Sequence, residues 1–169
     1  MLRTVLTFPD KTLKSRSLPV EQFDADLASL LEDMYETMIR NNGVGLAAVQ
    51  VGVPKRVLVI CLPDEEGEQH VEERIEVVNP EILHGEGSIV YQEGCLSVPE
   101  YYDDVERYNR IIVRFQDRHG AEKTMEAEGF LAVAFQHEID HLEGRLFVER
   151  LPLLKRKKFE KEWKKRIRG

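Results

Sequence analysis

The chain has 169 residues, 42% hydrophobic and 33% charged, which fits a soluble globular protein of one domain. No apolar run reaches the roughly 20 residues of a membrane span, Met1–Asp10 lacks a signal-peptide layout, and Cys61 and Cys95 are too few for a disulfide framework. A reduced compartment fits better, and a cytoplasmic location is expected. Charge is uneven. Of 24 basic and 31 acidic side chains, residues 155–169 hold nine and two, a net +7, leaving the first 154 residues fifteen and twenty-nine, a net −14.

From Asp24 to Asn41, Leu27, Leu30, Leu31, Met34 and Met38 recur at spacings of three and four. That pattern predicts a helix with one buried face, N-capped by Asp24 and broken by Gly43 and Gly45. Short strands are expected at Arg56–Cys61, Arg74–Asn79 and Ser88–Tyr91. Ile111–Gln116 and Glu122–Ala127 flank Asp117-Arg118-His119-Gly120 and read as a hairpin. A second helix is predicted from about Glu128 to Glu143, with Gly144 as its C-terminal glycine. In the tail, Phe159, Trp163 and Ile167 form a narrow apolar stripe on a third, very basic helix. Strands between terminal helices, without βαβ alternation, give an α+β class: short mixed or antiparallel sheets packed around a buried helix. With no internal repeat or low-complexity linker, residues 1–169 are expected to form a single domain with 155–169 as its helical tail.

Within the second helix lies His137-Glu138-Ile139-Asp140-His141. Histidines four apart share one helical face and can hold one metal ion. Glu138, one step round, reaches a water that the metal has acidified without being a ligand itself. Phe130, Leu131, Ala132, Val133, Ala134 and Phe135 make the helix apolar on nearly all sides. It is therefore buried, and its polar side chains need partners. A catalytic site of this kind takes three protein ligands. The position where one protease class places a third histidine is Phe147, and downstream only Glu160 and Glu162 are available, so the third ligand is sought upstream. His70, His84 and His119 stand in polar or exposed settings, and Cys61 closes the apolar run Val57–Ile60 as a buried thiol. Cys95, in Glu93-Gly94-Cys95-Leu96-Ser97, is favoured; a thiolate with two imidazoles suits Zn2+ or Fe2+.

With these residues, Gly43-Val44-Gly45-Leu46-Ala47-Ala48-Val49-Gln50, the Cys95 motif and Gln136–His141 stand in the order of three motifs of the peptide deformylase family. The resemblance covers essentially the whole chain, including Phe8-Pro9-Asp10, and is closest to the bacterial form with a C-terminal helix. It implies removal of the N-formyl group from the initiator formyl-methionine of nascent polypeptides, with release of formate. It further implies that Cys95, His137 and His141 bind one divalent metal, Fe2+ natively with Zn2+, Ni2+ or Co2+ able to substitute. By the same resemblance Glu138 is the general acid–base, and the Gln50 amide and Leu96 N–H stabilise the oxyanion.

Counting back from His137 by three, four and seven gives Ala134, Val133 and Phe130 as candidates for the methionine pocket, to which the resemblance adds Val44, Tyr91 and Leu96. The segment around Gly45 is a candidate for strand-like pairing with the substrate backbone. Some family members carry a peptide-holding arginine where this chain has Tyr102, so binding beyond the methionine is expected to differ. Arg107 is expected to pair with Glu93, and Asp140 is read as a solvated helix carboxylate rather than a partner of a ligand. For the basic tail the resemblance implies transient contact with ribosomal RNA; neither DNA nor membrane is an expected partner. Two rivals remain at this level: an endoproteolytic metalloprotease, and a binder that keeps its metal for structure alone.

Overall fold

Val57-Leu58-Val59-Ile60 is apolar at every position, and in the computed structural model, which describes residues 1–168, both faces of this strand are buried. Strand residues alternate between faces. Val57 and Val59 pack toward helix α1 (Ala25–Arg40), while Leu58 and Ile60 pack toward helix α2 (Phe130–Leu142). The strand, β2, lies between β1 (Gly45–Ala47) and β3 (Ile75–Glu86). β4 (Ile89–Cys95) and β5 (Val98–Arg107) form a separate antiparallel pair. β6 (Arg110–Gln116) and β7 (Glu122–Glu128) complete the first sheet in the order β1-β2-β3-β6-β7, antiparallel throughout. The class is α+β, with a helix on each side of the larger sheet.

Local rules set the helix and hairpin ends. Asp24 caps α1 by accepting from the Leu27 N–H at 3.0 Å. In the β6–β7 turn the Asp117 carboxylate accepts from the N–H groups of His119 and Ala121 at 2.8 and 3.1 Å. Gly144 follows the last turn of α2 at φ 75°, where a Cβ would stand 2.4 Å from the Lys14 carbonyl oxygen.

Several expected boundaries shift. The second helix starts at Phe130, because Glu128 pairs with Arg110 in the sheet and Gly129, at φ 62°, makes the turn between strand and helix. β3 runs on to Glu86 through an irregularity after Val78, where Asn79 at φ 52° binds the Val20 backbone on both sides at 2.8 and 2.9 Å. β4 extends to Cys95, and β5 was not foreseen, since its outer face is acidic and tyrosine-rich rather than apolar.

The tail helix, α3 (Leu153–Arg168), begins two residues before the basic run and closes a third core beneath the β4–β5 pair. Phe159 and Trp163 are buried there, and the Trp163 indole donates to the Phe8 carbonyl at 3.1 Å. Ile167 is 60% exposed, so the buried stripe has two members rather than three. Trp163→Ala is expected to lower unfolding free energy by about 3–5 kcal/mol, as for other large buried aromatics, while Ile167→Ala stays within about 0.5 kcal/mol. Urea midpoints of the two variants measure the difference; equal midpoints contradict the packing assignment.

Candidate active site and metal centre

Burial of α2 brings its polar residues to the hairpin. His137 and His141, one turn apart, have ring centroids 5.1 Å from each other. The end of β4 delivers Cys95, whose Sγ is 3.4 Å from His141 Nε2. Ligand atoms of Cys95, His137 and His141 all lie within 4.8 Å of one another. Three lone-pair donors converging in a buried place repel unless a cation joins them, and one sulfur with two imidazoles is a soft donor set for Zn2+ or Fe2+. Two buried polar atoms on this helix, Glu138 Oε1 and His141 Nδ1, have no hydrogen-bond partner. By the chemistry and spacing of this donor set, the residues fit a metal.

Around the donors, charges are paired closely. The His137 Nδ1–H donates to Glu93 at 2.8 Å, which leaves Nε2 for the centre. Glu93 also receives the Arg107 guanidinium in a two-pronged pair at 2.6 and 2.8 Å, as the sequence suggested. Arg107 reaches on to Asp140 at 2.9 Å, and Arg150 grips Asp140 at 2.7 and 2.8 Å. Asp140 is thus a buried, doubly paired carboxylate and not a solvated one; a helix buried on nearly every side has no solvated position to offer it. Arg150 was missed altogether, since nothing local marks it. The signal for Asp140 was available: it shares the buried helix with His137.

Proton affinities follow from these contacts. Burial opposes ionisation of Glu93, but hydrogen bonds from Arg107 and His137 overcome it and hold the carboxyl below its ordinary range. Burial likewise opposes ionisation of Asp140, and Arg150 and Arg107 hold it low. His137 is raised: burial favours the neutral ring, but Glu138, Cys95 and Glu93 outweigh it. His141 is lowered by burial and by its neighbour His137. Glu138, with no cation hydrogen-bonded to it, is pushed up to about 7, chiefly by burial.

Gln50 is 1% exposed at the end of a single turn of 3₁₀ helix, Ala48–Val51. Its Oε1 accepts from the Ala47 N–H at 2.9 Å. That contact turns the amide NH2 toward Ser97 Oγ at 3.0 Å and Cys95 Sγ at 3.6 Å. Ser97 was not foreseen in this role, although it lies in the same motif as Cys95. Gly45 lies so close to α2 that a Cβ would sit 2.5 Å from Glu138 Oε2, and one on Gly43 would sit 2.9 Å from the Leu96 side chain. Any larger residue at Gly45 displaces the carboxylate.

A cleft of about 720 Å³ opens over these groups. Val44, Gly45, Gln50, Tyr91, Cys95, Leu96, Phe130, Val133, Ala134, His137 and Glu138 all line it; His141 lies fully buried beneath. The Tyr91 and Phe130 rings stack at 4.8 Å. A second cleft of about 700 Å³, behind Arg107, contains none of the three donors. Cys61 is buried on the α1 side, and His70, partly exposed, pairs with Asp64 at 2.7 Å, so neither reaches the centre.

A Cys-His-His donor set with a carboxylate beside it, on an α+β frame, is the arrangement of a metal-assisted hydrolase. The model of the polypeptide deformylase family matches residues 2–157. The peptide deformylase of Nautilia profundicola is 62% identical over 164 residues, covering 97% of this chain and 94% of that protein. The crystal structure of a peptide deformylase from Legionella pneumophila superposes with a TM-score of 0.89 at 43% identity, covering 99% and 96% of the two chains. That of Ehrlichia chaffeensis, in complex with actinonin, gives 0.89 at 42% identity, covering 99% of each. The chain belongs to the peptide deformylase family of enzymes.

Glu93 and Asp140 have folded-state pKa values below their unfolded ones. Their contribution to stability is therefore complete above about pH 5 and is lost as pH falls through the unfolded carboxylate range toward the folded values. Arg107→Met leaves both carboxylates short of a buried partner. It is expected to cost about 3–5 kcal/mol at pH 7 and to flatten the loss between pH 5 and 3. Urea unfolding of chelator-treated protein across that range tests both parts, and a variant as acid-sensitive as the parent contradicts them.

Proposed function

We propose that this enzyme removes the N-formyl group from the initiator formyl-methionine of nascent polypeptides and releases formate, working as one catalytic domain. The observation that carries the reading is the convergence of Cys95, His137 and His141 beside Glu138 in a cleft with an apolar end. Those three residues would hold one divalent ion, natively Fe2+, with Zn2+, Ni2+ or Co2+ able to replace it. When bound, such an ion acidifies water and polarises a carbonyl oxygen.

The remaining steps belong to the chain. Glu138 takes the proton from the attacking water; burial, which raises its proton affinity, makes it a competent base. Oxygen of that water bonds to the formyl carbon, and the negative charge that develops on the formyl oxygen meets N–H donors from Gln50 and Leu96. Gln50 is held in advance by Ala47 and Ser97, so little reorganisation is needed as charge develops. The C–N bond then breaks, Glu138 returns its proton to the departing amine, and formate and a free methionine N-terminus result. Phe130, Val133, Ala134, Tyr91, Leu96 and Val44 enclose the methionine side chain, and the Gly45 strand pairs with the substrate backbone.

Formate release from a short formyl-methionyl peptide, by protein purified without oxygen, is the test. Rapid release is expected; none from protein holding one metal per chain rejects the reading. Glu138→Gln is expected to keep the metal and lose about 10²–10⁴-fold in kcat. Retained activity in that variant removes Glu138 from the mechanism.

We further propose a cytoplasmic location and transient ribosome contact through α3. No helix among the described residues is long and apolar enough to cross a membrane, and the basic side chains of α3 are exposed. Because Phe159 and Trp163 fill a core, truncating the tail would confuse docking with folding. Replacing Lys157, Lys158, Lys161 and Lys164 by Gln keeps that core. Co-sedimentation with ribosomes is expected to weaken and its salt dependence to become shallower; unchanged co-sedimentation rejects the contact.

A further inference from the structure

Shortly beyond the end of α2, Phe147–Arg150 forms a single turn of 3₁₀ helix. The Glu149 carboxylate closes it by accepting from the Leu146 N–H at 3.3 Å, and Phe147 and Val148 anchor it in the core beneath the β4–β5 pair. This turn meets His137 twice. Phe147, at the position where one protease class carries a third histidine, lays its ring beside the imidazole instead, with centroids 6.0 Å apart and planes 26° from parallel. Arg150 reaches the same imidazole through a chain of charged groups.

That chain can be followed atom by atom. Arg150 presents one edge of its guanidinium to Asp140, Nε donating to Oδ2 at 2.8 Å and Nη2 to Oδ1 at 2.7 Å. Oδ2 also accepts from Arg107 Nη1 at 2.9 Å. Arg107 turns its other edge to Glu93, whose Oε1 accepts both from Arg107 Nη2 and from the His137 Nδ1–H, each at 2.8 Å. The oxygen that orients His137 is thus placed by Arg107, and Arg107 by Asp140. Among the described residues Asp140 Oδ1 has Arg150 as its one side-chain donor. Without that donor the carboxylate is held through a single oxygen and can pivot, taking Arg107 with it.

Exposure separates Arg150 from the rest of the chain. Arg107, Glu93 and Asp140 are buried, whereas the Arg150 side chain is 41% exposed at the wall of the second cleft. Its removal empties no core position, so an effect at the centre has to travel through Asp140.

Resting on the metal-centre reading, and not on the identity of the substrate, we propose that Arg150 is a positioning residue for His137. By clamping Asp140 it fixes Arg107 and Glu93. With Phe147 from the same turn, it holds the imidazole with Nε2 toward the centre. Partners of this kind orient ligands, and their loss typically costs about 10–100-fold in metal affinity. Lysine cannot replace the arginine fully, because one ammonium does not span both carboxylate oxygens as the planar fork does.

Release of Co2+ from the loaded full chain to a chromogenic chelator tests this without any substrate. Arg150→Met is expected to release the ion about tenfold faster than the parent and to alter the visible Co2+ spectrum, with Arg150→Lys between the two. Arg156 lines the same cleft without touching Asp140, and Arg156→Met is expected to match the parent. Urea midpoints of the chelator-treated proteins separate positioning from packing. A lowered midpoint with unchanged release and spectrum in the folded Arg150→Met protein makes the residue merely structural and overturns the proposal. If Arg150→Met does not fold, parent-like release and spectrum in Arg150→Lys overturn it equally. A parent chain that retains no Co2+ overturns the metal-centre reading and the positioning role with it, whereas failure to release formate from a formyl peptide touches only the substrate.

Discussion

α2 buries ten of its thirteen residues, and five of those ten carry polar or ionisable side chains. Water cannot solvate them, so each must find a partner in the protein or in something bound to it. The rest of the site follows from that requirement. Gln136 is satisfied by the Tyr108 backbone, His137 by Glu93, and Asp140 by two arginines. Arg107 links the group, because a buried carboxylate left unpaired costs several kcal/mol. After these pairings, Glu138 Oε1 and His141 Nδ1 are left without a hydrogen-bond partner, and His141 Nε2 faces Cys95 Sγ.

The β4–β5 pair is the second requirement, since it carries Cys95 and Glu93 but does not join the larger sheet. It is steadied from below by a separate core in which Phe8, Tyr101, Phe147, Phe159 and Trp163 meet. Two of those rings belong to α3. The tail is thus a basic surface outside and a support for the cleft wall inside, and Arg166 makes the connection by donating to the carbonyls of Pro99 and Glu100 in β5. Removing the helix would loosen a wall of the cleft as well as strip positive charge.

What the sequence made legible was local. Histidines four apart, an adjacent glutamate, Asp24 before an apolar period and Gly144 after one each report through neighbours within a turn. Cys95 was reachable because glycine and a preceding strand mark a close approach. β5 was not reachable: Glu100, Asp103, Asp104 and Glu106 break the apolar alternation, and its pairing with β4 supplies what its composition lacks. β3 was cut short at Asn79 because an asparagine at positive φ reads as a turn, whereas here it anchors Val20 and the strand continues. Ile167 was assigned to a buried face by spacing alone, but the core beneath α3 ends at Trp163.

Glu138 and Asp140 show the limit most clearly. They are carboxylates two residues apart on one buried helix, and spacing gives no reason to treat them as opposites. Helical geometry points them in different directions: Asp140 toward Arg107 and Arg150, Glu138 toward Gly45 and the cleft. The first is held low by two guanidinium groups that hydrogen-bond it; the second has no such hydrogen bond, and burial pushes it up to about 7. Two acids on one helix are thus driven apart in proton affinity by their surroundings, Arg107 and Arg150 at one and burial at the other. An ionised Asp140 cannot shuttle a proton near neutrality, and a carboxylate gripped as Asp140 is would be too weak a base. As the base proposed above, Glu138 must lack such a grip, and the absence of a Cβ at Gly45 leaves the room it occupies.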